Sequence, residues 1–120
     1  MSEWFARPVL SVADIGRSVD FYVSQLGFTL SWRYEEEGKA LVAQVERQGC
    51  ALILSTQWPE KVGRALMFIS LDVDVLRALR AELEGKGVDV KDGHWGYRLM
   101  VVRDLDGNEL YFPYPKDADA

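Results

Sequence analysis

The stretch His94-Trp95-Gly96-Tyr97-Arg98-Leu99-Met100-Val101-Val102-Arg103-Asp104-Leu105-Asp106-Gly107-Asn108-Glu109-Leu110-Tyr111-Phe112 reads as a strand, a tight turn and a second strand. Leu99 to Val102 is apolar and rich enough in β-formers for a strand. Asp106-Gly107 is a strong hairpin signal, because glycine takes positive φ without steric cost. Glu109 to Tyr114 partly alternates polar and apolar, with Pro113 marking the end of the sheet. Trp95 and Tyr97 precede the hairpin, hinged by Gly93 and Gly96. Large aromatics beside glycines at a strand entry suit a ligand-facing loop and suit ordinary core packing equally well.

The same pattern runs back along the chain. Arg7 to Val12 reads as a short strand with Pro8 at its beginning. Asp14 is a plausible N-cap for a helix reaching about Leu26, with Ile15, Val19, Tyr22 and Leu26 on one face and Gly27 as its stop. Thr29 to Tyr34, Lys39 to Glu46 and Ala51 to Ser55 read as three strands, parted by Glu35-Glu36-Glu37-Gly38 and Gln48-Gly49. Gln57 to Gly63, with Trp58-Pro59, has turn character. The order then repeats. Leu66 to Asp72 is a strand, and Asp74 to Lys86 a helix with Leu76, Leu79 and Leu83 on one face, stopped by Gly87. Val88 to Lys91 is a short strand, and the hairpin supplies two more.

The reading is therefore an α+β fold of two repeated βαβββ modules, residues 7–55 and 65–114, joined by a linker at 56–64 within one domain. Neither module buries its sheet face alone. Two can pair their sheets around a shared cleft, with the helices outside. Arg77, Arg80, Glu82 and Glu84 read as a solvated helix face.

A chain of 120 residues, 48% hydrophobic and 28% charged, suits one soluble domain with a real core. The net charge of −5 argues against a nucleic-acid partner and favours a cationic ligand, although an acidic surface alone accounts for it. One cysteine, Cys50, allows no internal disulfide and fits a reducing compartment. It reads as apolar filler, because no basic neighbourhood activates it. No apolar run suggests a membrane span and no leader pattern is seen, so the expected location is the cytoplasm.

Three segments carry a resemblance over nearly the whole chain: Pro8-Val9-Leu10-Ser11-Val12-Ala13-Asp14 leading into Ser18-Val19-Asp20-Phe21-Tyr22; Gln25-Leu26-Gly27-Phe28; and Arg103-Asp104-Leu105-Asp106-Gly107-Asn108. With the duplicated order they resemble the vicinal oxygen chelate superfamily, which includes glyoxalase I, extradiol dioxygenases and the fosfomycin- and bleomycin-resistance proteins. Trp95-Gly96 is most similar to the bleomycin-resistance branch.

Enzymes of that superfamily hold a divalent metal with four side chains, usually His, Glu or Gln. The resemblance puts those places at Arg7, Ile53, Phe68 and Tyr111. Parity agrees for Arg7 and Phe68, since Leu10, Val12, Met67, Ile69 and Leu71 would face the helices. An arginine, an isoleucine, a phenylalanine and a tyrosine make no metal site, so no metal and no cofactor are expected. His94, the sole histidine, reads as a ligand-contacting or simply exposed loop residue.

The expected binding residues are thus Arg7, Trp32, Tyr34, Ile53, Trp58, Phe68, His94, Trp95, Tyr97, Arg98 and Tyr111. Aromatics offer apolar area, stacking and cation–π attraction, and Glu35, Glu36, Glu37 and Glu109 add negative potential near the rim. Trp32 and Trp58 suit a core or a dimer interface equally, and the face of Trp32 and Tyr34 is left open. Arg7 and Arg98 would either clamp an anionic group or pair with a carboxylate. The resemblance implies a non-catalytic protein of bleomycin-resistance type, sequestering an aromatic, cationic small molecule. It also implies a homodimer with pockets between subunits, and the chain end 1–6 is compatible with an exchanged arm. The alternative is a metal-dependent, glyoxalase- or lyase-like enzyme. Residues 115–120 read as a frayed tail.

Overall fold

The computed structural model describes residues 2–115, so most of the expected tail lies outside the described residues. The chain forms β1 (Val9–Ser11), α1 (Ile15–Asp20), β2 (Thr29–Glu36), β3 (Lys39–Arg47) and β4 (Cys50–Ser55). It then repeats the order with β5 (Leu66–Phe68), α2 (Val73–Gly85), β6 (Val90–His94), β7 (Arg98–Arg103) and β8 (Glu109–Pro113). The two four-stranded sheets run β1-β4-β3-β2 and β5-β8-β7-β6. In each, the first strand lies parallel to the last, with a helix making the crossover. The α+β architecture of two repeated βαβββ modules is present as read.

Local chemistry accounts for the joints. Asp14 Oδ1 accepts from the Arg17 amide at 2.8 Å and caps α1. The β2–β3 and β3–β4 hairpins turn through Glu37-Gly38 and Gln48-Gly49. All four residues have positive φ, the geometry of a two-residue turn that matches strand twist. The first helix departs from expectation. After Asp20 it continues as a π-helical segment over Phe21–Gln25, with the Leu26 amide donating to the Phe21 carbonyl at 3.3 Å. The sixth strand also differs from the expected Val88–Lys91, running from Val90 to His94. Gly93 is not a hinge but a strand residue opposite Leu99, where a Cβ would come within 3.0 Å of Val101.

A continuous core joins the modules on the helix side. Leu10, Leu54, Ala43 and Val45 of the first sheet, Leu110 and Val102 of the second, and Ile15, Tyr22, Leu76 and Leu83 of the helices all belong to it. The other face of each sheet carries no helix. The radius of gyration of 15.0 Å, against about 13.6 Å for a compact domain of this length, and a thickness of 25 Å describe an open shell. Among the described residues, no helix is long and apolar enough to cross a membrane.

Two polar devices fasten module to module. The first is the turn from Asp104 to Asn108. Asp104 Oδ1 accepts from the backbone amides of Asp106 and Asn108, and Oδ2 from Asn108 Nδ2 and the Tyr22 hydroxyl, each at 2.9 Å. Asn108 Nδ2 also donates to the Ser11 carbonyl at 3.1 Å. Gly63 packs against this turn with φ +75°, and a Cβ there would collide with the Asp106 carbonyl oxygen. Gly63→Ala is therefore expected to cost about 2 kcal/mol, read as a lower denaturation midpoint at unchanged slope. A wild-type midpoint would contradict this packing.

The second device is Arg47, whose Nη1 donates to Glu82 Oε2 and to the Leu26 carbonyl, both at 2.8 Å. The hydrogen bonds from Arg47 hold the Glu82 carboxyl below its ordinary range. This pair stabilises the fold above the unfolded-state glutamate pKa of about 4.3, and its contribution is lost as the pH falls through the lower folded value. Both side chains are about one-third exposed, so Glu82→Gln is expected to cost about 1 kcal/mol or less at neutral pH. The gap in melting temperature should narrow as the pH falls below the unfolded-state value; a gap that stays constant through acid pH would contradict the pairing.

Candidate functional site

Each helix-free sheet face gathers a set of exposed side chains. On the first sheet, strand register places Val9, Ile53, Gln44 and Trp32 in one row and Ser11, Ser55, Val42 and Tyr34 in the next. Directly paired residues share a face, so Trp32 and Tyr34 lie on the open side with Ile53. Their exposures of 41% and 49% agree. Arg7 lies on this face too, its Nη1 donating to Gln44 Oε1 at 2.9 Å.

On the second sheet, Phe68 pairs with Tyr111 and Tyr111 with Val101. Trp95-Gly96-Tyr97 forms the tip of the β6–β7 hairpin, closed by the Trp95 amide donating to the Tyr97 carbonyl at 2.9 Å, with Gly96 at positive φ. The tip brings Trp95 edge-on to Phe68 at 5.0 Å between ring centroids and Tyr97 at 6.4 Å. Tyr111 lies at 5.7 Å from Phe68. These four rings make one aromatic wall. Beside it is a hollow of about 470 Å³ lined by Trp95, Tyr111, His94, Leu66, Lys91 and Glu109 among others, all from the second module.

The expected site residues thus fall into two groups. Arg7, Trp32, Tyr34 and Ile53 share the first sheet; Phe68, Trp95, Tyr97, Tyr111 and His94 share the second. No hydrogen bond or ring contact joins the two groups among the described residues. Trp58 sits in the connector beside the 3₁₀ turn Pro59–Lys61, with the Lys61 ammonium 5.6 Å from its ring. Arg98 lies apart from the ring wall: it pairs with His94 at the end of the hairpin, and its guanidinium lies over the Tyr114 ring at 4.1 Å. It borders the helix-side hollow with Arg80 and Asp92, not the aromatic wall. Gln44 was not foreseen. Its signal was a polar residue in the middle of Leu41-Val42-Ala43-Gln44-Val45, buried to 8% exposure.

The charges near the open faces are mostly engaged. Arg33 pairs with Glu35 at 3.1 Å and Arg103 with Glu109 at 3.0 Å, while the Tyr34 hydroxyl donates to Glu36 at 3.0 Å. Three of the four glutamates expected to lend negative potential therefore already have donors. Glu37 stands in the β2–β3 turn.

The four places that the resemblance assigns to metal ligands hold a guanidinium bonded to an amide, an aliphatic chain and two rings in contact. This donor set does not fit a metal. Among the described residues, no three His, Cys, Asp or Glu side chains come together as a metal site needs. A third cavity, about 480 Å³ and separate from the hollow at Arg98, opens on the helix side between Leu26, Phe28, Cys50, Leu79 and Leu83, and contains none of the expected site residues. Burial pushes the Cys50 thiol up, which keeps it protonated and inert.

The model of the Glyoxalase/Bleomycin resistance protein/Dioxygenase superfamily matches residues 4–112. The chain belongs to that superfamily. The search of curated proteins gave no match. Solved structures similar to this superfamily member include the bleomycin-binding protein from bleomycin-producing Streptomyces verticillus, complexed with copper(II)-bleomycin. It is 25% identical with a TM-score of 0.72, covering 97% of this chain and 100% of its own. TnmS3, an antibiotic binding protein from Streptomyces sp. CB03234, is 23% identical with a TM-score of 0.71 at the same coverage. Lactoylglutathione lyase from Agrobacterium tumefaciens is 14% identical with a TM-score of 0.67, covering 94% and 95%. The last two likenesses show the fold alone.

Proposed function

We propose that this superfamily member is a non-catalytic binding protein of the bleomycin-resistance type, which sequesters an aromatic small molecule against its ring-lined faces. One observation carries the reading. Phe68 and Tyr111, which the resemblance puts at two metal-ligand places, form a continuous aromatic wall with Trp95 and Tyr97. Such a wall supplies apolar area and stacking without a coordinated ion. The bleomycin-binding neighbour supports a drug of that kind as guest. No bond is made or broken, and resistance follows from stoichiometric capture.

The second wall comes from a second copy. One chain leaves Val9, Trp32, Tyr34, Leu66, Phe68 and Trp95 each more than one-third exposed on sheet faces that no helix covers. An apolar surface of that kind marks an interaction site. A homodimer setting the ring wall of one copy against the Trp32 and Tyr34 face of the other encloses the guest. Trp4 and Phe5, 100% and 79% exposed, lie on a chain end able to dock on a partner. The single unpaired cysteine is in keeping with the cytoplasm.

The test is a titration of chelator-treated protein with bleomycin and other flat aromatic drugs, read by tryptophan fluorescence, with light scattering for assembly state. The expected result is saturable quenching at about one ligand per chain, unchanged by chelation, in a dimer. Binding that requires a stoichiometric metal would overturn the reading.

A further inference from the structure

We infer that Arg7 and Gln44 form a station that reads an anionic oxygen, so that the guest is a flat aromatic molecule bearing a carboxylate, sulfonate or phenolate. This rests on the binding role proposed above and names the chemistry of its ligand, against the cation that net charge alone favours. Arg7 lies two residues before Val9 and so on the same face of the first sheet. The Ile53 amide extends the ladder to the Pro8 carbonyl at 2.9 Å, which fixes the backbone beside it. Continuing the β1–β4 register back by two residues sets Arg7 alongside Ala51, whose short side chain leaves room for the guanidinium to reach across to β3. There it meets Gln44 Oε1 at 2.9 Å.

Gln44 is buried between Ile53 and Trp32, its register partners, so it holds the guanidinium at a defined place in an apolar row. A guanidinium carries five N–H donors. Among the described residues, the one side-chain acceptor bonded to Arg7 is this amide oxygen, and no carboxylate lies within ion-pair distance. Three neighbouring basic side chains are paired with carboxylates: Arg33 with Glu35, Arg103 with Glu109, and Lys91 with Asp89 at 3.7 Å. Glu46 is the carboxylate to weigh against Arg7, since it lies on the same face two residues from Gln44, yet it forms no ion pair with the guanidinium. Phe5 lies 5.9 Å below the Arg7 guanidinium and adds a weak cation–π contact.

Covering this face strips water from Arg7 while leaving it a neutral amide for company. A buried charge so treated is costly unless an opposite charge meets it. An anionic oxygen on the guest supplies that partner in the geometry a guanidinium favours, with two parallel N–H donors. The flat body then lies on Trp32 and the ring wall.

The test is fluorescence titration with two matched probes, anthraquinone-2-sulfonate and 2-(aminomethyl)anthraquinone, at low and high salt. The wild-type protein is expected to bind the sulfonate at least about tenfold more tightly, with the preference shrinking as salt rises. Arg7→Met should collapse the ratio towards one, Arg7→Lys should keep part of it, and Glu46→Gln should enlarge it. Arg7 is exposed, and unchanged circular dichroism would confirm that the variants fold. Equal binding of the two probes, a preference for the amine, or an unchanged ratio in Arg7→Met would overturn this inference and leave the aromatic-binding role standing. Absence of quenching by either probe would overturn both.

Discussion

Asp104→Ala lowers the unfolding free energy by about 3 kcal/mol or more and the melting temperature by about 10 °C or more. Asp104 is 7% exposed and accepts four hydrogen bonds, two from backbone amides and two from the side chains of Asn108 and Tyr22. Removing the carboxylate leaves several buried donors without a partner, each costing about 1–3 kcal/mol unless water replaces it. The loss is large against the roughly 5–15 kcal/mol that holds a domain together. The milder Tyr22→Phe removes a single donor to a charged acceptor and should cost about 1.5–3 kcal/mol. Burial, reinforced by the neighbouring Asp104 charge, pushes the Tyr22 phenol far above its ordinary range, so it stays a donor across the accessible pH range. Urea denaturation of both variants checks the order. A Tyr22→Phe cost equal to that of Asp104→Ala would mean that the backbone amides of the turn find other acceptors.

Tyr111→Ala weakens capture of a flat aromatic drug by about 30-fold, the equivalent of about 2 kcal/mol for losing a central aromatic contact. Tyr111 is half-buried at the middle of β8 and lies against Phe68, so its loss removes one side of the wall and loosens the other. Trp95→Ala should act similarly, with little effect on folding because Trp95 is 62% exposed. Trp95→Phe should restore most of the affinity, since stacking needs a ring and not an indole N–H. Trp58→Ala serves as a control from the connector. Calorimetric titration with bleomycin measures all four. An unchanged affinity in Tyr111→Ala would place the guest elsewhere on the molecule.

Much of this was legible along the chain, and the reasons are local. Asp14 before Ile15 and Gly27 and Gly87 after the helices bracket them by capping chemistry. Gly38, Gly49 and Gly107 adopt the positive φ that their turns need. Strand parity agrees with the resemblance in putting Arg7 and Phe68 on the open faces, because Leu10 and Met67 face the helices. What stayed hidden depends on register. Irregularities between Leu30 and Trp32, and between Tyr34 and Glu35, break the simple alternation of β2, so the face of Trp32 follows only from its pairing with Gln44. The place of Arg98 depends on register too: with Gly93 a strand residue, the hairpin tip falls at Trp95–Tyr97 and Arg98 turns towards Tyr114. The Tyr22–Asp104 bond spans 82 residues, which no local pattern announces.

The most direct measurement is a crystal structure of the protein grown with a bound flat aromatic drug. The ligand's ring system is expected against Phe68, Trp95 and Tyr111, with centroids about 4.5–7 Å apart, and the Trp32 face of a second copy closing over it. Ligand density in the helix-side cavity beside Leu79, or a metal ion coordinated by protein side chains at the ring wall, would contradict it.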